Sequence, residues 1–150
     1  MGPLLDEVAN HYGADASVVF KHYPLNFHKK AQLVAEATMA AHAQGKFFEF
    51  AGLAFQNQQK LDRVDLERYA EQLGLNMDKF KEALDSGLYK ERVQEDVDLA
   101  NKVGVRGTPT IFVNGRLYEG PREAPKMIEI IDREILKRTP AAEPAKEAGK

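Results

Sequence analysis

The sequence predicts an α/β fold in which helices cover a small mixed sheet, and three features of the chain lead to this class. Ser17 to Tyr23 form a β-rich run. Residues 26–103 form a long block of helical patterns, a helical insertion between the first strand and the next. Asn114-Gly115, the strongest short-range hairpin signal, separates two further strand patterns.

The front of the chain predicts one helix and one strand. Residues 3–12 place apolar side chains on one helical stripe, and Pro3 lies in a first-turn position that tolerates proline. Residues 17–23 contain two valines and a phenylalanine in succession, which predicts a strand that is buried on both faces and ends at Pro24.

Capping residues and apolar spacing divide the helical block. Asn26 is the predicted N-cap of a helix that runs towards Gly45. An aromatic-rich segment after it predicts a buried helix. Asp62, with Asp65 three positions later, starts a third helix, and Asn76 caps a fourth. Apolar residues from Tyr89 to Val103 mark a fifth helix.

The stretch from Val103 to Gly115 combines a helix end, a proline-led strand and a turn. Gly104 suits the left-handed residue that follows a helix. Residues 110–113 predict one strand and residues 116–119 its partner. From spacing alone the Thr108-Pro109 bond is expected to be trans, because only about 5–6% of X-Pro bonds in folded proteins are cis.

The chain length of 150 residues favours a single domain, which we place at residues 1–138. Residues 123–138 predict a final helix that covers the sheet. Residues 139–150 have no large apolar side chain, so we expect a disordered tail or linker.

The composition argues against several function classes. A net charge of -2 gives no basic patch for nucleic acid, and no apolar run approaches the roughly 18 residues that span a bilayer. The absence of cysteine excludes disulfides, thiolate metal sites and a cysteine nucleophile within these residues. Residues 1–7 lack the features of a secretory signal, so we expect a cytosolic protein or one whose front has been removed.

The other residues that carry chemistry are interpreted as structural. We predict no cofactor. We also predict no metal site, because the spacing of the four histidines matches no ligand pattern; they are His11, His22, His28 and His42. We interpret His22 and His28 as packing or surface residues. Arg106 is interpreted as an exposed loop residue rather than a contact for an acidic ligand.

The phenylalanines and serines are also interpreted as structural residues. A group of phenylalanines is assigned to the core rather than to a ligand groove, and its members are Phe47, Phe48, Phe50 and Phe55. The only serines, Ser17 and Ser86, belong to no Ser-His-Asp arrangement.

Three motifs together resemble the DsbA-like branch of the thioredoxin superfamily, over about residues 3–137. They are Val18–His28, then Asp85-Ser86-Gly87, then Val103–Gly115 with its Gly-Thr-Pro-Thr core. The resemblance implies a thioredoxin-like mixed sheet with a large helical insertion. It also implies an N-terminal truncation, because the family's first strand and its Cys-x-x-Cys have no counterpart here.

The resemblance assigns a substrate-binding site to Gly107, Thr108 and Pro109. Pro109 takes the place of the family's cis-proline, which reverses the trans expectation, and the backbone of Thr108 would pair with extended substrate peptides. No catalytic residue is assigned, because thiol–disulfide exchange needs a thiolate. We therefore predict a thiol–disulfide oxidoreductase family domain that is redox-inactive in this cysteine-free form.

Two alternative functions remain open. One is a non-catalytic module for peptide binding or assembly that retains the Thr108-Pro109 turn. The other is the glutathione-dependent transferase and isomerase branch of the same superfamily, whose activating serine would also lie in the missing front.

The resemblance also implies partners and a compartment. We expect extended or unfolded polypeptide as the partner, neither nucleic acid nor membrane, and the periplasm as the location. In the family the missing strand lies between the strands at residues 17–23 and 110–113. Its loss would expose two sheet edges, so we expect a dimer or other homo-oligomer formed through exposed or swapped edges.

Overall fold

The computed structural model of the chain describes residues 3–135. Its α-helices are α1 (Pro3–Tyr12), α2 (Ala31–His42), α3 (Phe47–Gln56), α4 (Arg63–Gln72), α5 (Met77–Asp85), α6 (Lys90–Lys102) and α7 (Ala124–Ile130). A 3-10 turn, Gly13–Asp15, follows α1, and a π-helical turn, Ile131–Ile135, follows α7. The strands β1 (Phe112–Val113) and β2 (Arg116–Leu117) form a hairpin.

The first of two compact units comprises residues 19–109, with α2 to α6. Its core is built around Phe50, whose ring centroid lies 5.7 Å from that of Phe80 and 6.5 Å from that of Tyr69. Small side chains of α2 let the helices approach one another, and Ala37 and Ala41 are fully buried. The first unit of this α/β protein is therefore helical and has a hydrophobic core of its own.

The second unit comprises residues 3–18 and 110–135 of the described chain, with α1, the hairpin and α7. The larger side chains of its core are Tyr118, Met127, Ile131 and Val8. The Tyr118 hydroxyl donates to the Pro121 carbonyl at 2.7 Å. Gly120 is required beside it, because an added Cβ would lie 2.6 Å from that hydroxyl.

Local signals placed several elements correctly. Asp62 precedes α4, and the Asp65 carboxylate accepts its N–H at 3.3 Å. The Asn76 side chain caps α5 by accepting the N–H of Lys79 at 3.0 Å. Asn114 and Gly115 have φ of 48° and 80°, so the predicted hairpin turn is confirmed.

The predicted strand at residues 17–23 is wrong, and so is the mixed sheet. Within the described residues the only strands are β1 and β2, which pair antiparallel. A β-rich sequence becomes a strand only beside a partner, and none of the described chain lies alongside this segment as one. The side chain of Val19 is 72% exposed, which also contradicts burial on both faces.

Other boundaries differ in detail. Asn26 is not the N-cap of α2: residues 26–30 form turns, closed by the His28 N–H bond to Leu25, and Lys30 takes the cap position. Phe50 is buried as predicted, but Phe48 and Phe55 are 44% and 57% exposed. The end of the predicted final helix, residues 136–138, and the tail at residues 139–150 lie outside the described residues.

Candidate functional site

The turn that carries Gly107, Thr108 and Pro109 begins where α6 ends. Gly104, with φ of 81°, donates its N–H to the Asn101 carbonyl at 3.1 Å, and Val105 donates to Ala100 at 2.9 Å. These bonds satisfy carbonyls that the end of a helix leaves without partners. The helix end thus fixes the direction in which the chain enters the turn.

Tyr23 ties this turn to an earlier part of the first unit. Its hydroxyl donates to Oδ1 of Asn101 at 2.9 Å and lies 3.4 Å from the Val105 carbonyl oxygen. Sequence reasoning missed this role, because Tyr23 lies 78 and 82 positions from its two partners and no local pattern links them.

The three predicted site residues lie together at the end of the first unit. The Thr108-Pro109 peptide bond is cis, the isomer that the resemblance implies. Thr108 and Pro109 are exposed, and Gly107 is half-buried. Within the described chain neither the N–H nor the C=O of Thr108 forms a hydrogen bond. The turn therefore presents an accessible donor and acceptor of the kind that an extended peptide can pair with.

A buried carboxylate, Asp96 of α6, organises the segment that contains Tyr23. It accepts the His22 N–H at 3.0 Å, the Lys21 ammonium at 3.0 Å and the Arg92 guanidinium at 2.9 Å. Burial alone would raise the pKa of Asp96. The His22 bond, followed by the Lys21 and Arg92 bonds, outweighs burial and holds this pKa below its ordinary value. No local pattern in the sequence indicates that this acid is buried.

His22 is a packing residue, one of the two roles predicted for it, and it lies between aromatic rings. Its ring centroid lies 5.2 Å from that of Phe20 and 5.7 Å from that of Phe47, and its Nε2 has no hydrogen-bond partner in the described chain. Burial lowers the pKa of His22 to about 4; Asp96 opposes this shift, while Arg92 adds to it. The imidazole is therefore neutral at physiological pH.

The other sequence candidates do not converge on a site. His11, His28 and Arg106 are exposed, and the Ser86 hydroxyl donates to the Glu82 carbonyl at 2.7 Å. Among the described residues no group of three acidic, histidine or cysteine side chains is arranged to hold a metal ion. No helix in the described part of the chain is both long enough and apolar enough to cross a membrane.

One family model and several curated relatives match the chain. The family described as a DSBA-like thioredoxin domain matches residues 3–131. The chain is 46% identical over 104 residues to the Na(+)/H(+) antiporter NhaA 3 of Salinispora tropica, which covers 69% of this chain and 16% of that protein. It is 36% identical over 131 residues to the Na(+)/H(+) antiporter NhaA 1 of Mycobacterium sp. strain KMS, covering 85% and 21% of the two chains.

A third relative is the Na(+)/H(+) antiporter NhaA of Herminiimonas arsenicoxydans, 35% identical over 127 residues that cover 85% of this chain and 20% of that protein. The chain thus spans about a fifth or less of the length of these curated relatives. No solved structure matches it.

Proposed function

The chain belongs to the DSBA-like thioredoxin domain family, and from this premise we propose that it binds extended polypeptide at Gly107-Thr108-Pro109 without redox turnover. The observation that carries the proposal is the exposed Thr108, whose main-chain N–H and C=O are not hydrogen-bonded within the described chain. An extended peptide that runs past Thr108 would supply the missing acceptor and donor.

The way in which the turn is held supports this role. The end of α6 and the Tyr23 hydroxyl fix the chain just before Gly107, so little conformational entropy is lost when a peptide pairs with the turn. Pro109 has no N–H. Pairing is therefore directed to the groups of Thr108.

We also propose that these 150 residues do not catalyse thiol–disulfide exchange, because they contain no cysteine. Disulfide exchange begins with attack by a thiolate, and no residue here supplies one. We propose that any oxidoreductase activity of a longer protein depends on a strand and a Cys-x-x-Cys preceding residue 3, as in the DsbA-like pattern. On this family basis we also propose a periplasmic location.

Titration of a fluorescently labelled, cysteine-free unfolded polypeptide tests peptide binding. Thr108→Pro removes the N–H donor and is expected to weaken binding about tenfold, the equivalent of one lost hydrogen bond. Thr108→Ala retains the main-chain groups and is expected to bind within about twofold of the unsubstituted chain. A urea midpoint for each variant checks that it is folded. Equal binding by both variants, or no binding by the unsubstituted chain, would overturn the proposal.

Reduction of a disulfide-bonded protein by dithiothreitol, with and without the chain, tests the redox part. We expect no acceleration by residues 1–150. Acceleration would contradict the proposal, because it would require a thiol that this sequence does not contain.

A second candidate function rests on the relatives. Those named above are called Na(+)/H(+) antiporters, and the matched part is about a fifth or less of each. We propose that a domain of this kind serves as an accessory module of such an antiporter. Deleting the matched part of the Salinispora tropica relative should change sodium-dependent proton flux in vesicles; unchanged flux would contradict this role. The glutathione-dependent branch stays a prediction.

A further inference from the structure

The imidazole of His22 is enclosed by aromatic side chains and carries a nitrogen without a partner. The residue is 6% exposed, and its Nε2 forms no hydrogen bond within the described residues. The ring centroids of Phe20 and Phe47 lie 5.2 and 5.7 Å from that of His22. A protonated imidazole carries a hydrogen on both nitrogens, so Nε2 would become a buried donor without an acceptor. The enclosure therefore favours the neutral ring.

The charged groups that face His22 do not reverse this preference. Burial lowers the pKa of His22 to about 4, and the Asp96 carboxylate opposes that shift. Arg92 of α6, His42 of α2 and Lys21 of the same segment repel a positive charge on the ring and add to the shift. Asp96 already accepts bonds from the His22 N–H and from the side chains of Lys21 and Arg92. Its attraction therefore compensates a ring proton only in part.

The residue that follows His22 in the chain is the one that holds the candidate site. Tyr23 donates its hydroxyl to Asn101 at 2.9 Å, and the same oxygen lies 3.4 Å from the carbonyl oxygen of Val105, which leads into the turn. The main chain of His22 is held on the same helix, because its N–H donates to Asp96 at 3.0 Å. A ring that leaves its enclosure for water would draw Tyr23 away from α6.

We propose that His22 is a positioning residue for peptide binding at Gly107-Thr108-Pro109, and that a proton on its imidazole releases Tyr23 from α6 and weakens that binding. This inference rests on the proposed function, because it requires a peptide bound at the turn. Once Tyr23 leaves Asn101, the chain before the turn gains freedom to move. A peptide that pairs with the loosened turn must order it again, so binding loses conformational entropy that the held turn does not lose.

Thermodynamic linkage makes this coupling measurable from two directions. If a proton on His22 weakens peptide binding, a bound peptide must lower the pKa of His22 by the corresponding amount. At about pH 4 half of the free chains carry the proton, so the Kd of the peptide is expected to be about twice its value at pH 7. A histidine that only stabilises the fold would change neither quantity while the chain stays folded.

NMR titration of the histidine ring signals, with and without saturating peptide, is the direct test. The probe is a synthetic peptide with blocked ends and without acidic or histidine residues, so that the ligand itself does not titrate. We expect bound peptide to lower the pKa of His22 by about one pH unit, which corresponds to tenfold weaker binding by the protonated chain. Dispersed amide signals show at each pH that the chain is folded.

The two possible failures are distinguishable. If the chain binds the peptide at pH 7 but the pKa of His22 is the same in the free and bound chain, the positioning role is refuted and the proposed function stands. If the chain does not bind the peptide at pH 7, the proposed function fails, and this inference fails with it.

Three variants separate the positioning role from general acid sensitivity. Tyr23→Phe removes only the hydroxyl and is expected to weaken binding at pH 7 about fivefold, the equivalent of one hydrogen bond. His22→Phe keeps a ring in the enclosure but cannot take a proton, so its Kd at pH 4 should equal that at pH 7. His28→Gln, at an exposed position, should retain the twofold increase. Unweakened binding by Tyr23→Phe, or a twofold increase that persists in His22→Phe, would contradict the proposal.

Discussion

At the scale of single residues, Asp96 determines how the segment before α2 is held. Asp96 is 3% exposed. Its carboxylate accepts hydrogen bonds from the His22 N–H, the Lys21 ammonium and the Arg92 guanidinium. Asp96→Ala leaves the buried N–H without an acceptor and both cations without their shared partner. Since the two cations remain partly solvated, we expect a loss of about 2 kcal/mol in the free energy of unfolding.

Urea denaturation measures this loss, and Asp98→Ala on the same helix is the matched control. Asp98 is exposed, so its removal should change the free energy of unfolding by no more than about 0.5 kcal/mol. Equal effects of the two substitutions would show that Asp96 does not have the role assigned to it.

His22 gives the protein a defined pH dependence. Its pKa in the folded chain is about 4, below the ordinary 6.5, so between these values the unfolded chain binds a proton that the folded chain does not. Stability is fully present above pH 6.5 and falls as the pH drops towards 4, by about 3 kcal/mol in all. Asp96, with its lowered pKa, adds a loss only at still lower pH.

Urea midpoints between pH 7.5 and pH 4 check this dependence. His22→Leu removes the titrating group and should flatten the profile in this window, whereas His28→Gln, at an exposed position, should leave it unchanged. A profile of the unsubstituted chain that is already flat would contradict a buried neutral imidazole.

At the scale of elements, α3 shows how one helix divides its phenylalanines between core and surface. Phe50 is fully buried between Phe80 and Tyr69, and Phe55 is 57% exposed. Phe50→Ala should therefore cost about 3–5 kcal/mol through lost burial and the resulting cavity. Phe55→Ala should cost less than about 1 kcal/mol. Chemical denaturation of the two variants measures the difference, and similar losses would contradict the assigned core.

The sequence predicted elements well where the determining interaction is local. Asn76 and Asp62 start helices through contacts three residues away, and Asn114-Gly115 turns the chain through its own backbone conformation. The predicted strand at residues 17–23 was wrong, because a strand depends on a pairing partner that no local pattern reveals. The prediction that Phe48 and Phe55 lie in the core was wrong, because helical spacing identifies an apolar stripe but not which side of the helix other elements cover.

At the scale of the whole molecule, the α/β class and the family were predictable, but the internal links of the candidate site were not. Gly104 and Pro109 mark the turn in the sequence, and the resemblance supplied the role of Thr108. The bonds from Tyr23 to Asn101 and from His22 to Asp96 join residues more than 70 positions apart. Such pairs follow from the packing of α6 against the preceding segment, so they emerge only in the folded chain.

The most direct test of the central claim is an NMR titration of ¹⁵N-labelled chain with the cysteine-free unfolded polypeptide. Binding through the Gly107-Thr108-Pro109 turn predicts that the amide signals of Gly107 and Thr108 shift most, and that they saturate at the concentration set by the binding curve. An absence of shifts, or shifts centred on another surface while these two amides stay in place, would contradict the proposed site.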